Sequence, residues 1–492
     1  MSRKIYFYDR RDIRSQHGLH IVYGPVQKKG PVDWPRPHWD LGEPSVFAGS
    51  IVGVPGGGYR LYYSGGDSSK KGNFAVSVAE SEDGITWTKP ALGQVVIAGD
   101  STNRIMPEDM PDAGSLTQPQ VVLMPDGTWL MWAWWHAKEV GKFRYVRAES
   151  SDGISWRLTD PDNPAVIHPA DRELGQNAWV AGLTQAATTD GFAGERIMDW
   201  DEAKRLRSND ATYVYFDQRH QRLEMYSVWL MPVDTSTHRQ TPHDNAPQVL
   251  RVIHRRESTD GLTWSDAEML ILADEHDPLH QQFYYLAVQP DDDWYIGMLG
   301  HYRCWEQTMD LELCFSRDLH RWARPLRGGW VPRGSPSETD HMSIYAPNRL
   351  IDLGDRWRLL YRAGNQKHNR ELPDGVDSIR RDTLVAEMPK GRFAGVSTTD
   401  CCIGTFTLER FQPVSPHIAV DANINGSLLA ELRDPYGRPI PGYELNSCVP
   451  IRGDSQNHIL TWAGGKRTDA YRYDVVEMRV EMTDAVVYSI TI

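Results

Sequence analysis

The sequence predicts an all-β protein: a five-bladed β-propeller followed by a C-terminal β-sandwich. Three observations carry this reading. The phrase Ser-x-Asp-Gly-x-x-Trp occurs at 81–87, 150–156 and 258–264, with a worn copy at 316–322. Each copy follows runs rich in β-branched and aromatic residues that are themselves broken by a turn. Long helical periodicity is nearly absent, the best stretch being 201–207.

The units follow in order. The first has an apolar run at 44–47, a glycine turn at 56–58 and a second run at 59–63. The second has 120–123, the turn Pro125-Asp126-Gly127 and 129–132. The third has 211–216 and 223–228, and the fourth 283–288 and 294–299. A fifth, without the closing phrase, has 342–346 and 357–361. Asp-Gly is turn chemistry, because Gly takes positive φ cheaply and Asp bonds the backbone just ahead of it. The Trp then returns to the sheet and buries its ring. Strand, turn, strand, linker, strand, turn, strand makes a four-stranded antiparallel blade, and five of them predict a propeller over 1–400. Ile5-Tyr6-Phe7-Tyr8 is expected to add a strand to the last blade. From about 401 short alternating strands and regular turns predict the sandwich, residues 401–492. Its expected role is a buttress or a contact between copies, and a homo-oligomer is left open.

The formal net charge of −13 gives a nucleic-acid partner little electrostatic support. No apolar run approaches membrane-spanning length, and the first residues have no apolar signal core. The five cysteines fit neither a zinc pattern nor a disulfide framework. A cytoplasmic setting without metal or cofactor is the expectation.

In a propeller the first strand of each blade lines the channel, and its start faces one mouth. Carboxylates and amides near those starts are Asp40 and Glu43 in unit one, and Asp112 and Gln118 in unit two. Unit three has Asp210, unit four Gln281 and Gln282, and unit five Glu338 and Asp340. Two carboxylates converging on one funnel suit glycoside hydrolysis, one as general acid and one as nucleophile or base. The expected catalytic set is therefore Glu43, Asp210, Glu338 and Asp340. The expected substrate contacts are Asp40, Gln118, Trp135, His136, Gln282, His301 and His368. For each of these the bland alternative is a strand cap, a turn residue or a core side chain.

Glu43-Pro44 at a strand start, the repeated turns and the trailing sandwich resemble the five-bladed-propeller glycosidases, glycoside hydrolase families 32, 43 and 68. The propeller-then-sandwich plan looks most like family 32. Where that family carries Trp-x-Asn-Asp-Pro-x-Gly, this chain has Trp39-Asp40-Leu41-Gly42-Glu43-Pro44. Where it carries Arg-Asp-Pro, this chain has Thr117-Gln118-Pro119. The resemblance implies a glycosidase acting on a small carbohydrate, such as a fructoside or arabinoside. Two other readings stand beside it. One is a glycoside phosphorylase, with Arg303, Arg333 and Arg362 as hydrogen-bond donors to a bound phosphate. The other is a carbohydrate-binding propeller without catalysis.

Overall fold

The computed structural model describes residues 3–40, 45–66, 74–110, 115–137, 142–159, 211–232, 249–368, 371–399, 402–472 and 474–492. Among these are strands and short 3₁₀ turns but no α-helix. The helical candidate at 201–207 lies outside the described residues. The chain divides into two compact units, one of residues 1–26, 323–326 and 388–492, the other of residues 27–322 and 327–387.

The larger unit is a succession of antiparallel sheets. The first runs Ser45–Gly53, Tyr59–Gly66, Phe74–Ser81 and Arg104–Ile105. The second runs Ser115–Leu123, Trp129–Ala137, Lys142–Ser150 and Arg157–Leu158. The third runs Tyr213–Asp217, Arg222–Pro232, Val249–Ser258 and Glu268–Ile271. The fourth has Gln281–Asp291, Trp294–Arg303 and Thr308–Ser316. A parallel bridge from Met309 to Ser343 joins it to the fifth, which runs Ser343–Tyr345, Arg356–Gly364, Arg381–Pro389 and Gln27–Pro31. All five apolar units expected from the sequence thus fold as strand pairs.

These sheets bury both faces, and the period of two shows how. Along Trp129–Ala137, residues Trp129, Met131, Ala133 and Trp135 pack with Tyr62 and Val76 of the first sheet. The alternate residues Leu130, Trp132 and Trp134 pack with Val214, Phe216 and Met225 of the third. A third cluster joins Tyr226 and Ile253 of the third sheet to Phe283 and Leu299 of the fourth. A fourth joins Leu61 and Trp87 of the first to Ile351 and Leu360 of the fifth.

The repeated phrase is the clamp between neighbours. In its first copy the Ser81 hydroxyl accepts the Gly84 N–H at 2.8 Å. Asp83 Oδ1 accepts those of Ile85 and Thr86 at 2.7 and 2.9 Å. The same bonds recur around Asp152, Asp260 and Asp318. Accepting these donors favours the ionised form. It holds Asp152 down at about 2, against the opposing push of its partial burial. The turn needs positive φ at its fourth residue, 73° at Gly153, and a Cβ there would lie 2.6 Å from the Tyr62 hydroxyl. The worn copy pays that strain with Leu319, at φ 67°. Arginines tie the turns to the preceding sheet: Arg60 donates to the Asp152 carbonyl at 2.7 Å, and Arg147 to that of Asp260 at 3.3 Å.

In the smaller unit, Glu477–Thr491 pairs with Ala419–Arg433 along nearly its whole length. It also pairs with Lys4–Tyr6, Ala394–Thr398 and Gly404–Leu408. The apolar runs 475–482 and 486–490 read as two short strands in the sequence. Asp484 at φ 42° bends a continuous one instead. Residues 5–8 do not extend the last sheet of the larger unit: Ile5 opposes Ile490, and Phe7 packs edge-on against Phe406. The strand that extends that sheet is Gln27–Pro31, opposite residues 384–387. It is polar and largely exposed, so no apolar alternation marked it.

Candidate functional site

The starts of the opening strands are irregular in a shared way. Ala48, Gln118 and Ala211 are non-glycine residues with φ of 48°, 53° and 60°. Register shifts interrupt the pairing of the first, second and fourth sheets at this level. Such bulges turn backbone donors away from the ladder, and side chains of neighbouring sheets collect them. Ala48 N–H donates to the Tyr213 hydroxyl at 3.2 Å, and that hydroxyl donates to the Ala346 carbonyl at 2.7 Å. Ala211 N–H donates to Gln118 Oε1 at 2.8 Å. Ala346 N–H donates to the Tyr285 hydroxyl at 3.0 Å. The first, third and fifth sheets therefore meet at one phenol.

Beside this hub lies a cluster of rings and polar groups. The Tyr284 and Tyr302 rings lie 5.0 and 4.8 Å from that of His368. His368 Nδ1 is 3.0 Å from the Tyr345 hydroxyl, and Phe47 packs 4.8 Å from the Tyr345 ring. Arg251, 1 % exposed, donates to Gln282 Oε1 at 2.7 Å and lies 5.1 Å from the Tyr302 ring. Arg362 lies over Tyr345 at 5.1 Å. The loop bearing His368 is tied down by its own N–H, which donates to the Gln307 carbonyl at 2.8 Å. Apolar ring faces beside hydroxyl, amide, imidazole and guanidinium groups suit a polyhydroxy ligand.

Of the residues singled out in the sequence, Gln282 and His368 come together here. Gln118 is a strut between sheets, accepting from Ala211 and donating its N–H to Ser64. Trp135 is a core residue between the first two sheets, 3 % exposed, because its strand buries both faces. His301 is likewise 1 % exposed, with Nε2 3.4 Å from Glu312 Oε2. Asp40, in the turn His38–Asp40, accepts from Tyr63 at 2.7 Å and pairs with Lys89 at 2.5 Å. Asp340 repeats the arrangement, pairing with Lys28 at 2.7 Å and accepting from Tyr361 at 3.0 Å. Glu338 is exposed and caps the Ser335 N–H, which holds it below the usual carboxylate range. Glu43, Asp112 and Asp210 lie outside the described residues. His136 is described in its backbone, opposite Ser115 and Phe143.

The reading of the sequence passed over Arg251, Tyr284 and Tyr345. Their signal was positional: Tyr284 and Tyr345 each follow the start of an opening strand by a few residues. Asp310 was also missed. It is 5 % exposed and binds Arg333 at 2.5 Å and Arg303 at 3.7 Å.

No protein-family model matches the chain, and no curated protein matches it. Among solved structures it is similar to one described as a glycoside hydrolase, at 12 % identity and TM-score 0.47, covering 74 % of this chain and 92 % of that one. A second is an N-acetylgalactosamine deacetylase from F. plautii in complex with blood group B trisaccharide. It has 17 % identity and TM-score 0.43 over 77 % of this chain and 97 % of that one. A third represents glycoside hydrolase family 130 of mannoside phosphorylases, which contains hydrolases of β-1,2 mannosidic linkages in Candida mannan. It has 11 % identity and TM-score 0.41 over 74 % and 94 %. Likeness at this level leaves the chemistry to be argued from the site.

Proposed function

We propose that the five sheets are blades of a closed five-bladed propeller and that the chain is a glycoside hydrolase acting on a small oligosaccharide or glycoside. The closure is supported by the cyclic order of packing, first on second, second on third, third on fourth, fourth bridged to fifth, and fifth on first. The outer place of the N-terminal strand Gln27–Pro31 in the fifth sheet supports it too. Residues 401–492 are then the expected sandwich, in a unit that also takes in residues 1–26, 323–326 and 388–400.

The observation that carries the hydrolase reading is the cluster of Phe47, Gln282, Tyr284, Tyr302, Tyr345 and His368 beside the strand starts. In this reading the acid and the nucleophile or base are Glu43 and Asp210. In the sequence Glu43 stands two positions before Ser45, where the first opening strand begins, and Asp210 three before Tyr213, where the third begins. One protonates the departing glycosidic oxygen while the other attacks the anomeric carbon or activates water. Asp340 and Glu338 suit these roles less. Asp340 already balances Lys28, and Glu338 is held ionised where an acid must keep its proton.

The phosphorylase alternative has one of its three cationic charges offset, because Arg303 and Arg333 share Asp310. A release assay on fructosides, arabinosides and other small glycosides, with and without phosphate, tests the reading. The expected result is free sugar without phosphate, reduced by a factor of about 10² or more in Glu43→Gln and in Asp210→Asn. Release that requires phosphate would replace hydrolysis with phosphorolysis. Sugar binding without release would leave a binding propeller.

A further inference from the structure

The smaller unit carries a groove of its own. It has a volume of about 660 Å³ and is lined by Tyr443, Gly464, Gly465, Lys466, Asp469 and Tyr471 among others. That is the size range of small-molecule sites. Its shape is built in. The Tyr443 and Tyr471 rings meet at 88° with centroids 5.1 Å apart, forming a corner. Behind them Trp462, fully buried, packs 5.1 Å from Tyr443 and donates its indole N–H to the Ala430 carbonyl at 3.0 Å.

The facing loop is pinned by three bonds. Trp462 N–H donates to the Lys466 carbonyl and Gly465 N–H to that of Trp462, both at 3.0 Å. The Tyr443 hydroxyl donates to the Arg467 carbonyl at 2.8 Å. Gly464 and Gly465 adopt φ of 76° and 75°, and nothing lies within 4 Å of where their side chains would project. The loop therefore leaves open space that its own backbone does not fill.

The chemistry of the rim is mixed. Lys466, Arg467 and Asp469 are exposed, two cations and one anion, and Lys466 Nζ lies 5.7 Å from the centre of the Tyr443 ring. A free anion would meet Asp469 beside the two cations. An apolar ligand would leave all three charges without water. A sugar can use each part, laying its C–H face on the half-buried Tyr471 ring, which the 5 % exposed Tyr443 backs, and its hydroxyls against donors and acceptors of both kinds.

We propose that this groove is a binding site for a neutral saccharide unit, separate from the cluster in the larger unit. The test is titration of the full chain with methyl glycosides and disaccharides, followed by saturation-transfer NMR, with inorganic phosphate as the anionic arm. At least one sugar should bind at millimolar concentration and still bind to the His368→Ala variant. Its affinity should fall about tenfold or more in Tyr471→Ala and in Lys466→Ala, with both variants shown to be folded by circular dichroism. Sugar binding untouched by both substitutions, binding of phosphate alone, or no sugar bound by the folded wild-type chain would each overturn the proposal.

Discussion

In the first four sheets the third strand ends in a turn with the same hydrogen bonds each time, around Asp83, Asp152, Asp260 and Asp318. The opening strands begin without any common phrase, with Ala48, Gln118, Ala211 and Gln282 at comparable levels. Two antiparallel reversals put the two features at opposite ends of a sheet. Each of the first three copies of the turn solves one packing problem, a glycine seated against the preceding sheet and a Trp closing the gap, and the fourth puts Leu319 in the glycine's place. Gly153 sits against Tyr62 and Gly261 against Trp132. The strand starts face different neighbours, and their side chains diverge accordingly. Repetition marks the end that clamps neighbouring sheets, and divergence marks the end where the proposed site lies.

That contrast can be broken from the turn side first. Trp156, fully buried against Tyr62, should cost about 3–5 kcal/mol when replaced by Ala. Denaturant unfolding measures it, and activity per folded molecule should hold. Asp340→Asn should behave as a stability variant as well, because it weakens the bond to the buried Tyr361 hydroxyl and removes the charge partner of the exposed Lys28, a loss of about 1 kcal/mol by the same measurement. A purely catalytic effect at unchanged stability would return Asp340 to the acid–base pair.

An effect smaller than that of Trp156→Ala separates turns that touch a neighbour from turns that do not. Gly127 has φ 91° with nothing within 4 Å, whereas Gly153 meets Tyr62 and Trp129. Gly127→Ala should cost about 1–2 kcal/mol for backbone strain alone. Gly153→Ala should cost roughly 1–3 kcal/mol more for the overlap. Equal losses would mean that the turns do not clamp the sheets.

The smallest effect is in pH. Asp152 is held at about 2, below its unfolded value of 3.8. Its contribution is therefore fully present above about pH 4 and is lost as the pH falls towards 2. Asp152→Asn should flatten the acid limb of the stability curve there. In the cluster beside the strand starts, His368→Ala should lower turnover of an identified glycoside with little change in melting temperature, the reverse of Trp156→Ala.

Much of the fold was legible because its devices are local. Ser, Asp, Gly and Trp at fixed offsets specify a turn whatever surrounds it, and runs such as Tyr59-Arg60-Leu61-Tyr62-Tyr63 specify a strand. The strand Gln27–Pro31 was invisible for the opposite reason. It is polar, and its place at a sheet edge is decided by the partner residues 384–387.

The site divides in the same way. The chain itself determined which carboxylates, amides and rings stand near strand starts. It could not decide which of them remain available. Asp40 and Asp340 look alike as free carboxylates in the sequence, and tertiary packing gives each a lysine and a tyrosine. Trp135 and His301 look like ligand contacts and are enclosed because their strands are covered on both faces. Arg251 and Gln282 lie 31 residues apart and meet because two sheets pack side by side. Short-range chemistry set the turns and strands of this chain, while burial and charge neutralisation, which depend on residues distant in the sequence, decided what those residues can do.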